Sequence, residues 1–263
     1  DYYVANHIFI YNRIFSEEAT EEERNLELSI LNVSKPNTPV FGCWYLQADE
    51  GTLVPILTEN YKYVIVSYES FNVSWTSGLP YEELEVEEEK LTLDPTKKYV
   101  AFTFTEGDNN SYLQFRMPTL FQSPSKGKYS IGWTIAPTCW DLNPNIIRYY
   151  SRNWSAGDGL AIPEAGVDYV YHTPPEGSQD EYFAISDEYF ARVGSGYMRT
   201  LQPDVVDPLP YAEKMKNLDA IVCGYLETGN TNYNNDLSHF LFRDTPVFLN
   251  YNGKEAVNMI QAD

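Results

Sequence analysis

The chain has 263 residues, and its 38 acidic and 18 basic side chains give a formal net charge of -20. Phosphate binding requires a positively charged surface, so this charge excludes a nucleic-acid partner and disfavours an anionic membrane surface. The sequence contains no apolar run of about 18 residues, so we expect no membrane span. It begins without an initiator Met, and we interpret it as a processed chain or excised domain with a secreted, periplasmic or cell-surface location.

Short apolar runs rich in β-branched residues alternate along the chain with segments of helical spacing. This order is typical of a parallel sheet with crossover helices. The predicted strands are Val40–Tyr45, Tyr63–Tyr68, Lys98–Thr105, Tyr129–Ile135, Gly159–Pro163, Met198–Pro203, Asp219–Tyr225 and Pro246–Tyr251. The predicted helices are 1–14, Thr20–Leu31, Asn109–Phe121, Asn145–Trp154, Asp180–Val193, Tyr211–Asn217 and Glu255–Ile260.

Eight strands with intervening helices predict an α/β fold with a (β/α)8-like parallel barrel that is regular, distorted or incomplete. We expect one barrel-like domain over residues 1–263, with a helical lead-in at 1–33 and the barrel strands and helices over 40–251. Three strands, Val100–Phe104, Ile131–Ile135 and Ala220–Gly224, should be parallel neighbours or near neighbours in one sheet, because their apolar character suits burial on both faces.

The third predicted strand runs directly into the sequence Glu106-Gly107-Asp108-Asn109. One interpretation is a strand-to-helix turn in which Asp108 or Asn109 caps the next helix. The other interpretation is functional, because the chemistry of a parallel barrel lies at the carboxyl ends of its strands. Glu106 and Asp108 would then project into the barrel mouth.

Carboxylates follow several of the other predicted strands as well. Cleavage of a glycosidic bond needs one acid to protonate the leaving oxygen and one carboxylate to attack the sugar or to activate water. The candidate catalytic residues are Glu106, Asp108, Glu164, Asp168 and Glu227. We expect Glu106, Asp108, Glu164 and Asp168 to line one cleft together with Tyr169 or Tyr171.

The histidines are isolated, so the sequence predicts no zinc site and no cofactor. His7, His172 and His239 form no paired metal-binding motif. Carboxylates are also ligands for hard cations, so a weakly bound calcium or magnesium ion near Asp108 is the most that we expect. The cysteines, Cys43, Cys139 and Cys223, lie in or beside apolar runs, which suits buried thiols.

Aromatic residues make up 15% of the chain, with 22 Tyr and 5 Trp. Aromatic faces stack on the apolar faces of sugar rings, and phenol hydroxyls can bond to sugar hydroxyls. An alternative interpretation is that most of these rings fill the core. The candidate substrate-binding residues are Trp44, Asn72, Asn109, Trp140, Tyr169, Tyr171 and His172, with Trp75 as a further pocket candidate.

The segment 166–172, Gly-Val-Asp-Tyr-Val-Tyr-His, resembles the signature of the GxGYxYP family of proposed glycoside hydrolases. The turn at 106–109 is similar to that family's D-G-D-N segment, and residues 132–137 are similar to its G-W-x-x-x-P segment. The resemblance covers about residues 1–250 and implies the family's C-terminal barrel-like domain, without its N-terminal domain. The chain departs from the pattern at Glu106, Asp168 and His172, which replace an Asp, a Gly and a Pro.

Together, the carboxylates, the aromatic residues and the resemblance predict a carbohydrate-active hydrolase whose partner is an oligo- or polysaccharide. Two alternatives stay open. The domain could bind glycans without cleaving them, or it could be a structural module of a surface protein. The distances among the carboxyl groups separate catalysis from binding. No feature of the sequence indicates an oligomeric state.

Overall fold

The computed structural model describes residues 2–11, 19–42, 50–67, 70, 72–81, 92, 94, 96–97, 99–201, 205–224, 239–242 and 244–249. Trp44, Glu227 and the predicted helix Glu255–Ile260 lie outside the described residues.

The helices are α1 (Tyr2–Ala5), α2 (Glu21–Val33), α3 (Glu50–Glu59), α4 (Val73–Thr76), α5 (Met117–Phe121), α6 (Cys139–Leu142), α7 (Pro144–Ser151), α8 (Glu176–Val193) and α9 (Leu209–Lys214). A π-helical turn, Tyr112–Arg116, precedes α5. The strands are β1 (Thr38–Gly42), β2 (Lys62–Val66), β3 (Phe102–Phe104), β4 (Ile131–Thr134), β5 (Gly159–Ala161), β6 (Tyr197–Thr200), β7 (Ala220–Cys223), β8 (His239–Phe242) and β9 (Thr245–Leu249).

The helix α2 begins where its sequence predicts. The Thr20 side chain accepts a hydrogen bond from the Glu23 backbone N–H at 3.3 Å, and the Glu23 carboxylate accepts one from the Thr20 backbone N–H at 2.8 Å. This reciprocal capping box satisfies two N–H groups that the first helical turn leaves without partners. Within the predicted lead-in, the described helical residues are those of α1 and α2.

The prediction of a (β/α)8 barrel is wrong. Among the described residues the strands form three separate sheets, with the orders β1-β2, β3-β4-β5 and β6-β7-β9-β8. The pairs are parallel except β8 with β9, which is antiparallel. Each predicted strand overlaps an observed one, and β8 was not predicted.

Two features explain why the described strands form open sheets. Among the described residues β8 is the edge strand of the third sheet, and it pairs antiparallel with β9, with His239 opposite Phe248. Between the first and second sheets the described pairings are isolated bridges, from Val66 to Asn109 beyond the end of β3 and from Val64 to Tyr169. The Val64 N–H donates to the Tyr169 carbonyl at 2.8 Å, and the Tyr169 N–H donates back at 3.1 Å.

The three strands that we expected to be parallel neighbours are parallel to their partners, as predicted. The prediction that all three belong to one sheet is wrong. Strands β3 and β4 are parallel neighbours, with Phe102 opposite Ile131. Strand β7 is parallel to β6 but belongs to the third sheet. An isolated bridge between Ile162 and Met198 links the second and third sheets. The core runs through all three, and Val64, Ile135, Met198 and Ile221 are each at most 1% exposed.

Candidate active site

The Glu106-Gly107-Asp108-Asn109 turn is held against the end of β4. The Gly107 N–H donates to the Thr134 hydroxyl at 3.0 Å, and the Ala136 N–H donates to the Gly107 carbonyl at 2.8 Å. A Cβ at Gly107 would lie 1.8 Å from the Thr134 carbonyl oxygen, so only glycine fits. Glu106 is exposed and has a φ of 75°, in the left-handed region.

The side chain that caps the following helix is that of Asn109. Its Oδ1 accepts hydrogen bonds from the Ser111 N–H at 3.0 Å, from the Tyr112 N–H at 3.2 Å and from the Ser111 hydroxyl at 2.9 Å. Of the two capping residues that the sequence allowed, the structure therefore selects Asn109. The carboxylate of Asp108, which is half-buried, is not needed for that cap.

A network of buried side-chain hydrogen bonds centred on Asn110 holds the residue that follows the turn. The Oδ1 of Asn110, which is 1% exposed, accepts hydrogen bonds from the Asn143 amide at 2.9 Å and from the Cys139 thiol at 3.2 Å. The Asn110 amide donates to the Val66 carbonyl at 3.3 Å, and the Thr76 hydroxyl donates to Asn143 Oδ1 at 2.7 Å. The sequence predicted that the Cys139 thiol is buried, and this is confirmed, but it assigned no role to Asn143, Thr76 or Asn110, although Asn110 directly follows the predicted turn.

The signature segment 166–172 passes between helix α8 and strand β2. Gly166 has a φ of 127°, and a Cβ there would lie 2.7 Å from the Ser186 hydroxyl and 3.0 Å from the Tyr182 hydroxyl. The Val167 N–H donates to the Ser186 hydroxyl at 3.0 Å. Glycine is therefore required both by the backbone conformation and by the close approach of α8.

Asp168 is the buried carboxylate of the site. It is 1% exposed, accepts a hydrogen bond from the Thr138 hydroxyl, and accepts another from the Tyr169 N–H at 2.9 Å. Burial raises the pKa of Asp168 well above its ordinary value, and the nearby charge of Asp108 raises it further, against the two hydrogen bonds. Asp108 and Asp168, from two predicted segments, thus lie within electrostatic reach of each other.

The other predicted carboxylates are placed differently. Glu164 is 4% exposed and forms an ion pair with Arg199, which is 1% exposed. The exposed Glu106 lies close enough to Tyr112 for its charge to act there, and burial together with that charge raises the pKa of Tyr112 to about 12.

The candidate binding residues divide into buried and accessible groups. Trp140 and Tyr169 lie in the core, at 1% and 2% exposure. Tyr171 and His172 are half-buried, with ring centroids 5.2 Å apart. Asn72 is exposed and precedes α4 with a φ of 61°. The accessible binding candidates among these are therefore Tyr171, His172 and Asn72, besides the capping residue Asn109.

A stack of three aromatic rings leads from the core to the E-G-D-N turn. The ring centroids of Trp133, which is 3% exposed, and Phe104 are 5.3 Å apart. Those of Phe104 and the half-buried Tyr112 are 6.5 Å apart. The interplanar angles are 29° and 21°. Tyr112 was not among the residues predicted from the sequence. Its position just after the E-G-D-N turn, at the start of a predicted helix, could have identified it as a candidate.

One further carboxylate, Asp141, is held by Arg192 and Tyr189. Asp141 Oδ1 is 2.8 Å from Arg192, and Asp141 Oδ2 accepts a hydrogen bond from the Tyr189 hydroxyl at 2.5 Å. Burial alone would raise the pKa of Asp141, but these two hydrogen bonds and the charge of Arg192 hold it below its ordinary value. Tyr63 lies near both Asp141 and Asp168, and its pKa is raised by burial and then by those two charges.

Metal-binding groups, membrane-spanning helices and surface grooves are the other structural features that bear on function. Within the described ranges, no group of three or more His, Cys, Asp or Glu side chains is arranged to hold a metal ion. None of the described helices combines the length and the apolar character needed to cross a membrane. A groove of about 520 Å³ lies between α8 and α9 and is lined by residues such as Asp180, Phe183 and Lys214, none of which is a predicted site residue.

The chain resembles a solved structure over most of its length. This is a putative hydrolase from Bacteroides thetaiotaomicron VPI-5482, at 22% identity and a TM-score of 0.71. The match covers 88% of this chain and 46% of that one, so the chain spans about half the length of the structure it matches. At this identity the likeness shows a shared fold. A comparison with functionally curated proteins finds no match.

Two family models match the sequence. Residues 96–258 match the GxGYxYP putative glycoside hydrolase C-terminal domain, and residues 1–78 match the GxGYxYP third domain. The similarity of the first 78 residues thus belongs to a separate domain of the family, whereas the sequence analysis assigned it to the C-terminal one. The Val64–Tyr169 pair connects the two matched regions, and the single-domain organisation stays a prediction. Because the C-terminal match covers more than half of the chain, the chain belongs to the GxGYxYP family.

Proposed function

We propose that this chain cleaves glycosidic bonds of an oligo- or polysaccharide, with Asp108 as the acting carboxylate and Glu106 as the second member of the pair. The observation that carries the proposal is the position of Asp108. Its carboxylate is half-buried and lies near the buried Asp168, and the cap of the following helix is made by Asn109. The family membership supports the same class of reaction.

The turn carries two carboxyl groups, which is the number that the reaction needs. One carboxyl group must protonate the leaving oxygen, and a second must attack the sugar or activate a water molecule. Glu106 is exposed two residues before Asp108, on a turn that Thr134 holds through Gly107. A rigid turn limits the reorganisation needed to align two carboxyl groups with the bond.

Asp168 acts behind this pair rather than on the substrate, because it is 1% exposed. Burial favours its protonated form. A protonated Asp168 is a neutral hydrogen-bonding group, so it supports Asp108 without placing a second negative charge against it.

The accessible aromatic side chains support a carbohydrate ligand. Tyr112 is half-buried, is stacked on Phe104 and lies near Glu106. Tyr171 is half-buried on the signature segment. Phenol rings of this kind can contact a sugar face and bond to its hydroxyls. A polysaccharide substrate also fits the proposed secreted, periplasmic or cell-surface location.

The test is a hydrolysis screen of the purified chain against a panel of polysaccharides, with release of reducing ends as the measurement. We expect Asp108→Asn to lower turnover about 100-fold or more while the chain stays folded, because it removes the acting carboxylate. The matched control is Asp180→Asn, since the Asp180 side chain is 91% exposed and lies on α8. Equal activity of wild type and Asp108→Asn would overturn the assignment.

A second candidate function is glycan binding without cleavage. The observation that favours it is the replacement of the family's second signature glycine by Asp168, whose two carboxylate oxygens both accept protein hydrogen bonds. Calorimetric binding of oligosaccharides to wild type, without any release of reducing ends from the same compounds, would support this alternative over hydrolysis.

A further inference from the structure

The chain enters the signature segment through three successive residues with positive φ, Glu164 and Ala165 before it and Gly166 as its first residue. The φ angles are 40° at Glu164, 76° at Ala165 and 127° at Gly166. Residues other than glycine rarely adopt such backbone angles, so the surrounding structure must hold this turn in place. The turn ends two residues before Asp168, and its conformation therefore sets the direction in which the Asp168 carboxylate points.

The neighbouring strand β6 holds the turn through its backbone. The Arg199 N–H donates to the Ile162 carbonyl at 2.8 Å, and the Arg199 carbonyl accepts from the Ala165 N–H at 2.9 Å. These bonds lie on the two sides of Glu164. The backbone of Arg199 thus spans the point at which the chain leaves β5 and enters the turn.

The side chain of Arg199 adds a third connection. It forms an ion pair with Glu164, and both residues are nearly excluded from solvent, at 1% and 4% exposure. The guanidinium lies against the backbone of Gly224, where a Cβ would be 2.5 Å from an Arg199 nitrogen. A residue larger than glycine at 224 would therefore displace the guanidinium.

Helix α8 holds the far side of the same turn. The Tyr182 hydroxyl lies within hydrogen-bond distance of two carbonyl oxygens, 2.9 Å from that of Ala165 and 3.1 Å from that of Asp168. The Ser186 hydroxyl accepts from the Val167 N–H at 3.0 Å. The turn is thus fixed between β6 and α8, and Asp168 leaves it toward Thr138.

We propose that Arg199 is a positioning residue that acts through Glu164 to hold the 164–166 turn, and so keeps Asp168 against Thr138 and behind Asp108. This role rests on the proposed function, and it removes Glu164 from the catalytic candidates. A buried ion pair can also serve stability alone, and an apolar pair of similar volume often replaces such a pair without loss. If the pair only stabilises the fold, an apolar replacement should leave activity unchanged. If the pair positions Asp168, the same replacement should lower activity.

The test compares the double variant Glu164→Leu/Arg199→Met with wild type. It removes both charges together, so neither is left buried alone. We expect a melting temperature near that of wild type, a kcat lower by about 10- to 100-fold, and a KM that is little changed. The second readout is the titration of Asp168, followed by NMR of carboxyl-labelled aspartate and assigned with Asp168→Asn. We expect its midpoint to move by about one pH unit or more.

The matched control is Asp180→Leu/Lys214→Met, which removes an ion pair of 2.7 Å on the surface. It should change neither kcat nor the Asp168 titration. If the Glu164–Arg199 double variant keeps both at wild-type values, the positioning role is overturned. If the double variant does not fold, Arg199→Lys decides, because lysine keeps the charge but lacks the planar fork. A moved Asp168 midpoint in Arg199→Lys supports the role, and an unmoved one overturns it.

The titration does not depend on hydrolysis. If wild type releases no sugar from any substrate, the proposed function fails, and the Asp168 midpoint in the variants still decides whether Arg199 positions that carboxyl group.

Discussion

A Cβ at Gly107 would lie 1.8 Å from the carbonyl oxygen of Thr134, so the E-G-D-N turn and strand β4 are packed at backbone contact. This contact ties the segment that carries Glu106 and Asp108 to the strand that leads into Thr138, the hydrogen-bond donor to Asp168. The segment that carries Asp108 and the segment that carries Asp168 are therefore both held by contacts to β4 or to the residues that follow it.

We expect Gly107→Ala to destabilise the chain by roughly 1–3 kcal/mol, because the added methyl group must push the turn away from β4. Activity should fall with it, since Asp108 moves with the turn. Urea denaturation measures the change in the free energy of unfolding. The matched control is Gly159→Ala in β5, where a Cβ would have no atom within 4 Å. A similar loss of stability in both variants would contradict this account of Gly107.

The capping role of Asn109 predicts a different response. Asn109→Ala should destabilise the chain by about 1 kcal/mol, because the N–H groups of Ser111 and Tyr112 lose their acceptor. Asn109→Ser should retain most of the stability, since serine is also a good capping residue. Thermal unfolding followed by circular dichroism measures both. Equal melting temperatures for wild type and the alanine variant would show that Asn109 is not the cap.

The hydrogen bond from Thr138 should lower the pKa of Asp168 measurably. Thr138→Val removes the hydroxyl while nearly keeping the shape of the side chain, so the pKa of Asp168 should rise above its wild-type value. Aspartate-labelled NMR titration measures this shift. A fall in that pKa would mean that Thr138 does not stabilise the ionised carboxylate.

The raised pKa of Asp168 also predicts a pH dependence of stability. The folded state binds this proton more tightly than the unfolded state, so the contribution to stability is fully present below the ordinary value of 3.8 and is lost as the pH rises through the folded-state pKa. Asp168→Asn carries no titrating proton and should remove this decline. The measurement is the free energy of unfolding by urea at a series of pH values from acid to neutral. An unchanged slope in Asp168→Asn would exclude Asp168 as the source.

Local sequence determined the elements of this protein. The run Lys62–Val66 is buried at every position and forms β2, because a short β-branched run has few other ways to leave water. Helix α2 starts at its Thr20 and Glu23 capping box, since capping depends on residues only three apart. The E-G-D-N turn and the signature segment were found in the same way, and so was the family resemblance.

Tertiary structure alone decided how these elements are assembled and which partners surround each carboxylate. Sheet closure depends on pairings such as Val64 with Tyr169, and local periodicity does not specify a partner about a hundred residues away. Glu164 and Asp168 are equivalent acids in the sequence. The first faces Arg199 and the second faces Thr138, and these partners come from strand β6 and from the residue before helix α6. The ion pair of Glu164 and the raised pKa of Asp168 therefore both result from tertiary packing, which no local sequence pattern encodes.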